Sequence, residues 1–420
     1  MSWNCQSVNQ LCERIRGVSY KKGDASNIPE KGYVPILRAN NIGDDATLNY
    51  DGLVYVPADK VSAKQKLKVG DVVVAMSTGS SRVIGKTAQL NQEWQGAFGA
   101  FCGVLRPKNN VDARYFGHYF KTKEYRNGIS GLAAGTNINN IKAEHFDEIE
   151  IPLPPLSEQR RIADKLDILL AKVNKCKSRL ERIPEILKRF RQSVLADACS
   201  GKLTEDWREE NGASAPIECR LGDALMDIRY GTAKKCEPNT SGVAVLRIPN
   251  VIHGEISHND LKYTQLAAKE YSTLKLQAGD VLVIRSNGSI SLVGAPALVT
   301  KAEAGFAFAG YLIRLRTDAS KLVPAYLNYC LQSPQIRTQY GFTARSTSGV
   351  HNINGKEIAS LSVNLPSLHE QKEIVRRINS LFEHARKLEE RFEKGKTAFL
   401  RISESILSKA FRGELVGQDA

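Results

Sequence analysis

The sequence has no long hydrophobic run and no clustered cysteines, and each absence excludes a class of protein. No apolar stretch approaches the roughly 20 residues of a membrane-spanning helix, and the N-terminus MSWNCQSVNQ lacks the apolar segment of a secretory signal peptide. The eight cysteines are scattered singly, without a CxxC pair. This pattern favours reduced thiols over a disulfide framework or a zinc site. We therefore expect a cytoplasmic protein with no membrane association.

Signatures of catalysis and nucleotide binding are also missing. The segment GSSRVIGKT at 79–87 resembles a phosphate-binding loop, but five residues separate its two glycines where that motif requires four. The seven histidines are dispersed, and no Asn-Pro-Pro-aromatic or Asp-Pro-Pro-aromatic tetrad for adenine methylation occurs. We expect a chain without an active site or a metal site. A free-standing enzyme with an unrecognised site is the alternative.

Positive charge is in excess. The chain carries 59 lysines and arginines against 45 acidic residues, for a net charge of +14 and a pI near 9.3. The excess is spread along the chain, and no single tail carries it. Such a distribution suits a polyanion laid across several domains. A basic protein without a polyanionic partner is the alternative.

One phrase of the sequence occurs twice. IPLPPLSEQRRI at 151–162 returns as VNLPSLHEQKEI at 363–374, a shift of 212 positions. The shift holds without a gap to SVLADACSGKL (193–203) and SILSKAFRGEL (405–415), and 16 of the 53 positions in 151–203 are identical. This period is far longer than the 20–50 residues of solenoid repeats, so the repeated unit is a whole domain with a connector.

A long helix is predicted after each copy of the phrase. Apolar residues recur there at alternating spacings of four and three, which is typical of a coiled-coil seam. The predicted seam consists of Ile162, Leu166, Leu169, Val173, Leu180 and Leu187 in the first helix and Ile374, Ile378, Leu381, Leu388, Phe392 and Phe399 in the second. We expect the helices to pair antiparallel, because the domain between them lets the chain return. Packing of each helix on its own domain is the alternative.

The ends and weak points of these helices are also predicted. Ser157 is a candidate N-cap of the first helix. Gly201 and Gly413 stand where a left-handed glycine ends a helix. Pro184 and Gly395 disfavour helix at nearly equivalent positions, so we expect a bend there in both copies.

The segments outside the helices repeat more weakly. LKVGDVVVAMSTGSS (67–81) is similar to LQAGDVLVIRSNGSI (276–290), and VPILRANNIGD (34–44) to VAVLRIPNVIHGE (243–255). The runs DVVVAM and DVLVIR predict buried strands bounded by Gly-Asp turns, and helical patterns such as DARYFGHYFKTKEYRNGI intervene. We predict an α+β fold: two similar mixed α/β domains joined by two long antiparallel coiled-coil helices, with a pseudo-twofold internal repeat. The predicted segments are a domain at 1–150, a helix at 151–205, a domain at 206–362 and a helix at 363–420.

Two mixed domains, each followed by LPPLSEQ or LPSLHEQ, a long helix and SGKL or RGEL, resemble the specificity subunit of type I restriction-modification enzymes. The resemblance covers essentially the whole chain. It implies that 1–150 and 206–362 are target recognition domains, each reading one half of an asymmetric, split DNA sequence. It also implies that the helices at 151–205 and 363–420 serve as a spacer and dock partner subunits.

The same resemblance implies partners and cofactors. The partners would be double-stranded DNA, two modification (methyltransferase) subunits and the restriction (translocase) subunits. S-adenosylmethionine, ATP and Mg would be used by those subunits, and this non-catalytic chain would hold no cofactor. The alternatives are a coiled-coil scaffold that binds only proteins and the specificity subunit of a related split-target restriction enzyme type.

Candidate DNA contacts come from polar loops present in both copies. They are Lys21, Lys22, Arg38, Ser77, Thr78, Ser80, Arg82 and Asn137 in the first domain, and Lys234, Lys235, Arg247, Arg285, Asn287, Ser289, Arg345 and His351 in the second. Arg38 and Arg247 are flanked by apolar strand residues in both copies, so a structural role is the alternative for these two. Side-chain identity determines base choice only once the pose on DNA is known, and the target sequence is therefore not predicted.

Overall fold

The computed structural model describes residues 3–80, 82–132, 139–238, 241–252, 254–343, 345–347 and 350–417. The chain divides into two compact units. Unit 1 consists of Met1–Glu181 with Glu393–Ala420, and unit 2 is Arg182–Phe392. The four predicted segments follow the sequence repeat, whereas each compact unit includes parts of both long helices.

In the first part of unit 1, Met1–Glu181, short strands and helices precede the first long helix. Its strands are β1 (Cys5–Ser7), β2 (Cys12–Arg16), β3 (Tyr33–Leu37), β4 (Val54–Pro57), β5 (Val72–Ala75), β6 (Ser77–Thr78), β7 (Thr87–Gln89), β8 (Ala97–Phe98), β9 (Cys102–Pro107), β10 (Asn139–Asn140) and β11 (Glu150–Pro152). Its helices are α1 (Val8–Leu11), α2 (Ala113–Tyr119), α3 (Lys123–Leu132) and α4 (Leu156–Leu180).

Unit 2 begins with a helix and repeats the mixture of strands and helices. Its first helices are α5 (Ile183–Ser200), α6 (Glu205–Asn211), α7 (Ala268–Leu274), α8 (Pro324–Gln332), α9 (Pro334–Thr343) and α10 (Gly355–Ala359). Its strands are β12 (Ile217–Arg220), β13 (Leu225–Tyr230), β14 (Val243–Leu246), β15 (Val251–Ile252), β16 (Glu255–Ile256), β17 (Lys262–Thr264), β18 (Val281–Ile284), β19 (Ser286–Asn287), β20 (Pro296–Leu298), β21 (Ala307–Phe308), β22 (Leu312–Thr317), β23 (Arg345–Thr347), β24 (Val350–Asn352) and β25 (Ser362–Leu365). The last helix, α11 (Leu368–Phe411), contributes to both units.

The two main sheets of each unit have the same topology as those of the other unit. In unit 1 the strand orders are β2-β9-β5-β7 and β4-β3-β8, and in unit 2 they are β13-β22-β18-β20 and β17-β14-β21. In both units the four-stranded sheet is antiparallel, and the three-stranded sheet has one parallel pair. The predicted strands in DVVVAM and DVLVIR are the fully buried β5 and β18. The prediction of two similar mixed domains is confirmed.

Each repeated Gly-Asp pair closes a turn and anchors an arginine. Gly70 and Gly279 have φ values of +94° and +95°, a left-handed conformation that glycine adopts without strain. The buried Asp71 carboxylate accepts from Arg106, with Nε–Oδ1 at 2.8 Å and Nη2–Oδ2 at 2.7 Å. Asp280 and Arg316 repeat this geometry, with both distances 2.7 Å. The repeated dipeptide therefore ties β5 to β9 and β18 to β22.

The long helices run antiparallel within each unit. In unit 1, Leu180 lies next to Gly395, where an added Cβ would be 3.7 Å from the Leu180 side chain, and Arg161 donates to the Gly417 carbonyl at 2.9 Å. In unit 2, Arg191 donates two hydrogen bonds of 2.6 and 2.9 Å to Glu389, and Arg377 donates to the carbonyl of Leu203, just after the end of α5, at 2.9 Å. Residue numbers rise along one helix as they fall along the other, so the predicted antiparallel pairing is confirmed.

Burial of the predicted seam follows contact with the domain cores. Ile162, Leu166, Leu187, Ile374, Ile378 and Phe392 are buried, and Leu169, Val173, Leu180, Leu381 and Phe399 are partly buried. Leu388 is 49% exposed, so this predicted seam member is not enclosed. Four members are fully buried and belong to clusters that include the sheets and helices of their domains: Ile162, Leu166, Ile374 and Ile378. Domain packing therefore adds to the burial that the seam alone provides.

The two copies differ at the predicted weak points. In the first, helix stops at Leu180 and resumes at Ile183, so Pro184 lies in the first turn of α5. A proline is tolerated there because the missing N–H would have no helical partner. In the second copy, α11 runs as one helix of 44 residues through Gly395. The helix is not interrupted at Gly395, because glycine keeps its backbone N–H, and the bend expected there stays a prediction.

The predicted caps are correct at the C-termini and wrong at the first N-terminus. Gly201 and Gly413 have φ values of +80° and +76°, as predicted. Ser157 is not the N-cap of α4, because the helix begins one residue earlier and Pro155 precedes it without a side-chain cap. In the second copy, the Ser367 hydroxyl accepts from the Glu370 N–H at 3.2 Å.

Among the described residues, no helix is long and apolar enough to cross a bilayer. In the same residues, no group of histidine, cysteine and acidic side chains could hold a metal ion.

Candidate nucleic-acid interface

Each unit places a short polar ladder directly after its buried central strand. In unit 1, β6 pairs with β10, which sets Thr78 opposite Asn139. In unit 2, β19 pairs with β24, which sets Asn287 opposite His351. The fold therefore brings together two predicted contacts of unit 2 that are 64 positions apart in the sequence, at a site equivalent to Ser77 and Thr78.

The loops that follow β6 and β19 close in the same way. The Thr78 hydroxyl accepts from the Ser80 N–H at 3.3 Å, and the Asn287 Oδ1 accepts from the Ser289 N–H at 2.8 Å. Both serines are exposed at the start of their loops. Side-chain oxygens thus shape both loops and leave the serine hydroxyls at the surface. This geometry suits hydrogen bonding to an extended polar ligand.

Arg38 and Arg247 brace loops from inside. Arg38 Nη2 donates to the Gly52 carbonyl at 2.9 Å, and Arg247 Nη2 donates to the carbonyl and the carboxylate of Asp260 at 2.6 and 2.7 Å. The hydrogen bond from Arg247 holds the pKa of Asp260 below its ordinary value. These hydrogen bonds support the structural role that was the alternative for Arg38 and Arg247. Contact of the two arginines with DNA stays a prediction.

The four predicted lysines are exposed, and some of their charges are paired with carboxylates. Lys21 and Lys22 lie between β2 and β3 in the chain. Lys234 Nζ lies 2.9 Å from a Glu270 oxygen, and Lys235 Nζ lies 3.0 Å from a Glu237 oxygen. The cationic character of this part of unit 2 is thus reduced by neighbouring carboxylates.

The remaining predicted contacts have different surroundings. Arg82 is 82% exposed, with its guanidinium 3.6 Å from Asp44. Asn137 lies outside the described residues. Arg345 is the first residue of β23, and β23 pairs with β24, the strand that contains His351. The His351 Nδ1 is buried without a hydrogen-bond partner among the described residues.

Unit 2 contains a pocket of about 580 Å³, and Arg285, the residue directly before β19 of the polar ladder, is part of its lining. Tyr230, Arg285 and Tyr311 lie along it, and its cationic lining includes Lys234 and Lys262. The Arg285 guanidinium carbon lies 4.8 Å from the centre of the Tyr230 ring. The Tyr311 side chain is 64% exposed. Cations and exposed aromatic rings in one concave surface suit the phosphates and flat bases of a nucleic acid.

Tyr230 and Tyr311 were not among the candidate contacts predicted from the sequence, although the sequence repeat pointed to Tyr311. Phe101 of unit 1 corresponds to Tyr311, and it is 68% exposed. The Phe101 carbonyl accepts from the Met76 N–H at 2.8 Å, as the Tyr311 carbonyl accepts from the Arg285 N–H at 2.9 Å. The similarity of GAFGAFCG and FAFAGYLI, each with an aromatic residue at this position, could have identified the pair.

Comparison with known proteins gives consistent results along the whole chain. The family model described as type I restriction modification DNA specificity domain matches residues 2–185 and 225–394. The chain is 43% identical over 420 residues to the type I restriction enzyme EcoKI specificity subunit of Escherichia coli K12, covering 99% of this chain and 90% of that protein. It is 40% identical over 417 residues to the StySPI specificity subunit of Salmonella potsdam, with coverage of 99% and 90%.

Solved structures show the same fold. A chain from a study of complex assembly and conformational transition of the type I R-M system aligns with a TM-score of 0.75 and 19% identity, covering 99% of this chain and 98% of that one. The HsdS subunit from Thermoanaerobacter tengcongensis aligns with a TM-score of 0.60 and 18% identity, covering 99% and 97%.

Proposed function

The chain belongs to the family of type I restriction-modification specificity subunits, and from this premise we propose how its two target recognition domains read DNA. Each unit reads one half of a bipartite, asymmetric target in double-stranded DNA. The observation that carries the proposal is the duplicated polar ladder, with the loops at Ser80 and Ser289 at equivalent positions of the two units. The scaffold is repeated and the side chains on it differ, so two different half-sites are read.

The charge distribution supports a long contact with the DNA backbone. The net charge of +14 is spread over both units, and exposed lysines such as Lys21 and Lys22 lie on turns outside the sheets. Lysine contacts to phosphate position a protein on the duplex, while groups that reach base edges select the sequence. Linkage of two modest half-site contacts in one chain makes the second contact effectively intramolecular, which gives tight binding only to the complete target.

The chemistry is assigned to partner subunits. The chain recruits two modification (methyltransferase) subunits and the restriction (translocase) subunits, and its long helices provide the docking surfaces. S-adenosylmethionine, ATP and Mg are used by those partners, and this chain acts as their non-catalytic, cytoplasmic specificity subunit. The relative from the study of type I R-M complex assembly supports association with other subunits of such a system.

The test is reconstitution with and without a modification subunit. The purified chain alone is expected to transfer no methyl group from S-adenosylmethionine to DNA, whereas the complex methylates a split motif. Sequencing of a methylated plasmid library identifies that motif. Methyl transfer by the highly purified single chain, or methylation by the complex without a bipartite motif, would overturn the proposal.

A further inference from the structure

The backbone of Arg285 is held rigidly at the junction of two structural elements of unit 2. Its N–H donates to the Tyr311 carbonyl at 2.9 Å, and its carbonyl accepts from the Ile353 N–H at 2.9 Å. Arg285 follows the buried strand β18 and precedes the polar strand β19. The starting point of the side chain is therefore fixed by the core of the unit.

The side chain of Arg285 is held by an aromatic ring. Its guanidinium lies over Tyr230 at 4.8 Å, and the Tyr230 hydroxyl accepts from the Gly355 N–H at 2.8 Å. The ring is thus anchored at its far end while its face supports the guanidinium. Stacking of this kind orients the plane of an arginine without using its hydrogen-bond donors.

The positive charge of Arg285 has no carboxylate partner among the described residues. Its Nε is buried without a hydrogen-bond partner there, and the segments of unit 2 outside the described residues contain no aspartate or glutamate. The pocket cations Lys234 and Arg247, by contrast, pair with Glu270 and Asp260. A half-buried guanidinium without a counter-charge is suited to an external acceptor.

The surroundings of Arg285 indicate which acceptor fits. Asn287 follows two residues later in the chain, His351 lies opposite Asn287, and the exposed Tyr311 lines the same pocket. An arginine whose plane is fixed by stacking, and which directly precedes the polar ladder in the chain, matches the edge of a base better than a single phosphate oxygen. The commonest such contact is the bidentate bond of arginine to O6 and N7 of guanine in the major groove.

We propose that Arg285 reads the guanine of a G·C pair in the half-site of unit 2, and that Tyr230 is its positioning residue. The proposal rests on the proposed function, since it requires that unit 2 contacts DNA bases. The equivalent residue of unit 1 is Met76, whose backbone makes the same two hydrogen bonds, to Phe101 and Ile141, at 2.8 Å each. A thioether donates no hydrogen bond, so Met76 cannot make the contact to guanine that is proposed for Arg285.

The experiment measures the methylation motif of the complex with its modification subunits. A plasmid library with randomised half-sites is methylated and sequenced for the wild type, Arg285→Met, Arg285→Lys and the control Arg220→Met. Arg220 is an exposed arginine of the same unit, on β12. Arg285→Met is expected to reduce the preference for G·C at one position by roughly 10- to 100-fold, and Arg285→Lys by less. All other positions keep their base preferences, and Arg220→Met leaves the motif unchanged.

Two variants of Tyr230 test the positioning role. Tyr230→Phe keeps the ring and is expected to retain most of the preference at that position, while Tyr230→Leu loses it as Arg285→Met does. A general structural effect would weaken methylation of every motif equally in both variants, and this result would contradict the positioning role.

The outcomes separate the inference from the proposed function. If the wild-type complex methylates without a bipartite motif, the proposed function fails. If the wild-type motif is bipartite but the half-site of unit 2 has no G·C pair, or Arg285→Met and Arg285→Lys keep the motif, the inference fails. Arg285→Met could instead weaken binding to all DNA sequences equally and reduce the slope of log binding constant against log salt concentration by about one. That result would assign Arg285 to a phosphate and contradict the inference.

Discussion

Gln159 accepts a hydrogen bond of 2.8 Å from the backbone N–H of Asp112, and this contact joins the start of the first long helix to the first residue before helix α2. Gln159 also donates to the Pro154 carbonyl at 2.8 Å. In the second copy, Gln371 accepts from the Val323 N–H at 2.7 Å and donates to the Pro366 carbonyl at 2.9 Å. The glutamine of the repeated phrase therefore fastens each long helix to its own domain.

The first prediction concerns this glutamine. Gln159 is 1% exposed, so Gln159→Leu leaves a buried N–H and a buried carbonyl without partners. We expect a loss of about 1–3 kcal/mol in the free energy of unfolding of unit 1. Urea denaturation and hydrogen exchange at the Asp112 amide measure the effect. Gln192→Leu, on the exposed face of α5, is the control, and equal stability of the two variants would contradict this role of Gln159.

The second prediction concerns the buried ion pair of the Gly-Asp turn. Asp280 is 1% exposed and accepts twice from Arg316, so Asp280→Asn leaves the guanidinium without its counter-charge. We expect a loss of about 3–5 kcal/mol, measured by chemical denaturation. The exposed pair of Glu185 and Arg189 is the comparison, and Glu185→Gln is expected to cost less than about 1 kcal/mol. A loss for Asp280→Asn as small as that of the control would show that the repeated ion pair is dispensable.

The third prediction concerns a buried histidine. Desolvation lowers the pKa of His118 to about 4, although its Nε2 lies 2.8 Å from Asp167 Oδ1. Because the unfolded chain binds a proton on this residue near pH 6.5, the folded state holds fewer protons between pH 6.5 and 4. The contribution of neutral His118 to stability is therefore complete above pH 6.5 and is lost as the pH falls to about 4, by about 3 kcal/mol.

The variant His118→Gln cannot titrate, so its stability should fall less between pH 7 and pH 4 than that of the wild type. Denaturation curves at several pH values measure the difference. His369 is exposed, and His369→Gln should keep the pH dependence of the wild type. A wild-type slope in His118→Gln would show that other groups cause the acid sensitivity.

The fourth prediction concerns the modularity of the domains. Exchange of residues 206–362 for the same segment of a relative should change one half of the methylated motif and leave the other unchanged, because each unit has its own sheets, core and polar ladder. The methylation motif of the hybrid complex is the measurement. A motif in which both halves change, or neither does, would show that the two halves are not read independently.

Much of the fold was predictable because it depends on local patterns. The 3.5-residue apolar spacing placed the long helices, and the repeat showed that two domains share one fold. Gly201 and Gly413 marked helix ends because glycine adopts the left-handed conformation of a helix end without strain. The Gly-Asp turns were predictable for the same reason, and the apolar runs after them predicted the buried strands. The polar ladder was predicted only in part, since Asn287 and His351 were both predicted DNA contacts but their pairing was not predicted.

The amino-acid sequence was enough to identify the repeat, the element types and the family, because periodicity, turn residues and motifs are properties of short stretches. Which distant groups meet depends on the tertiary structure. Gln159 could not be matched to Asp112 from spacing, nor Arg285 to Tyr230, since those contacts depend on how strands and helices pack. The 49% exposure of Leu388 has the same origin, because a seam pattern specifies which side of a helix is apolar but not what covers it.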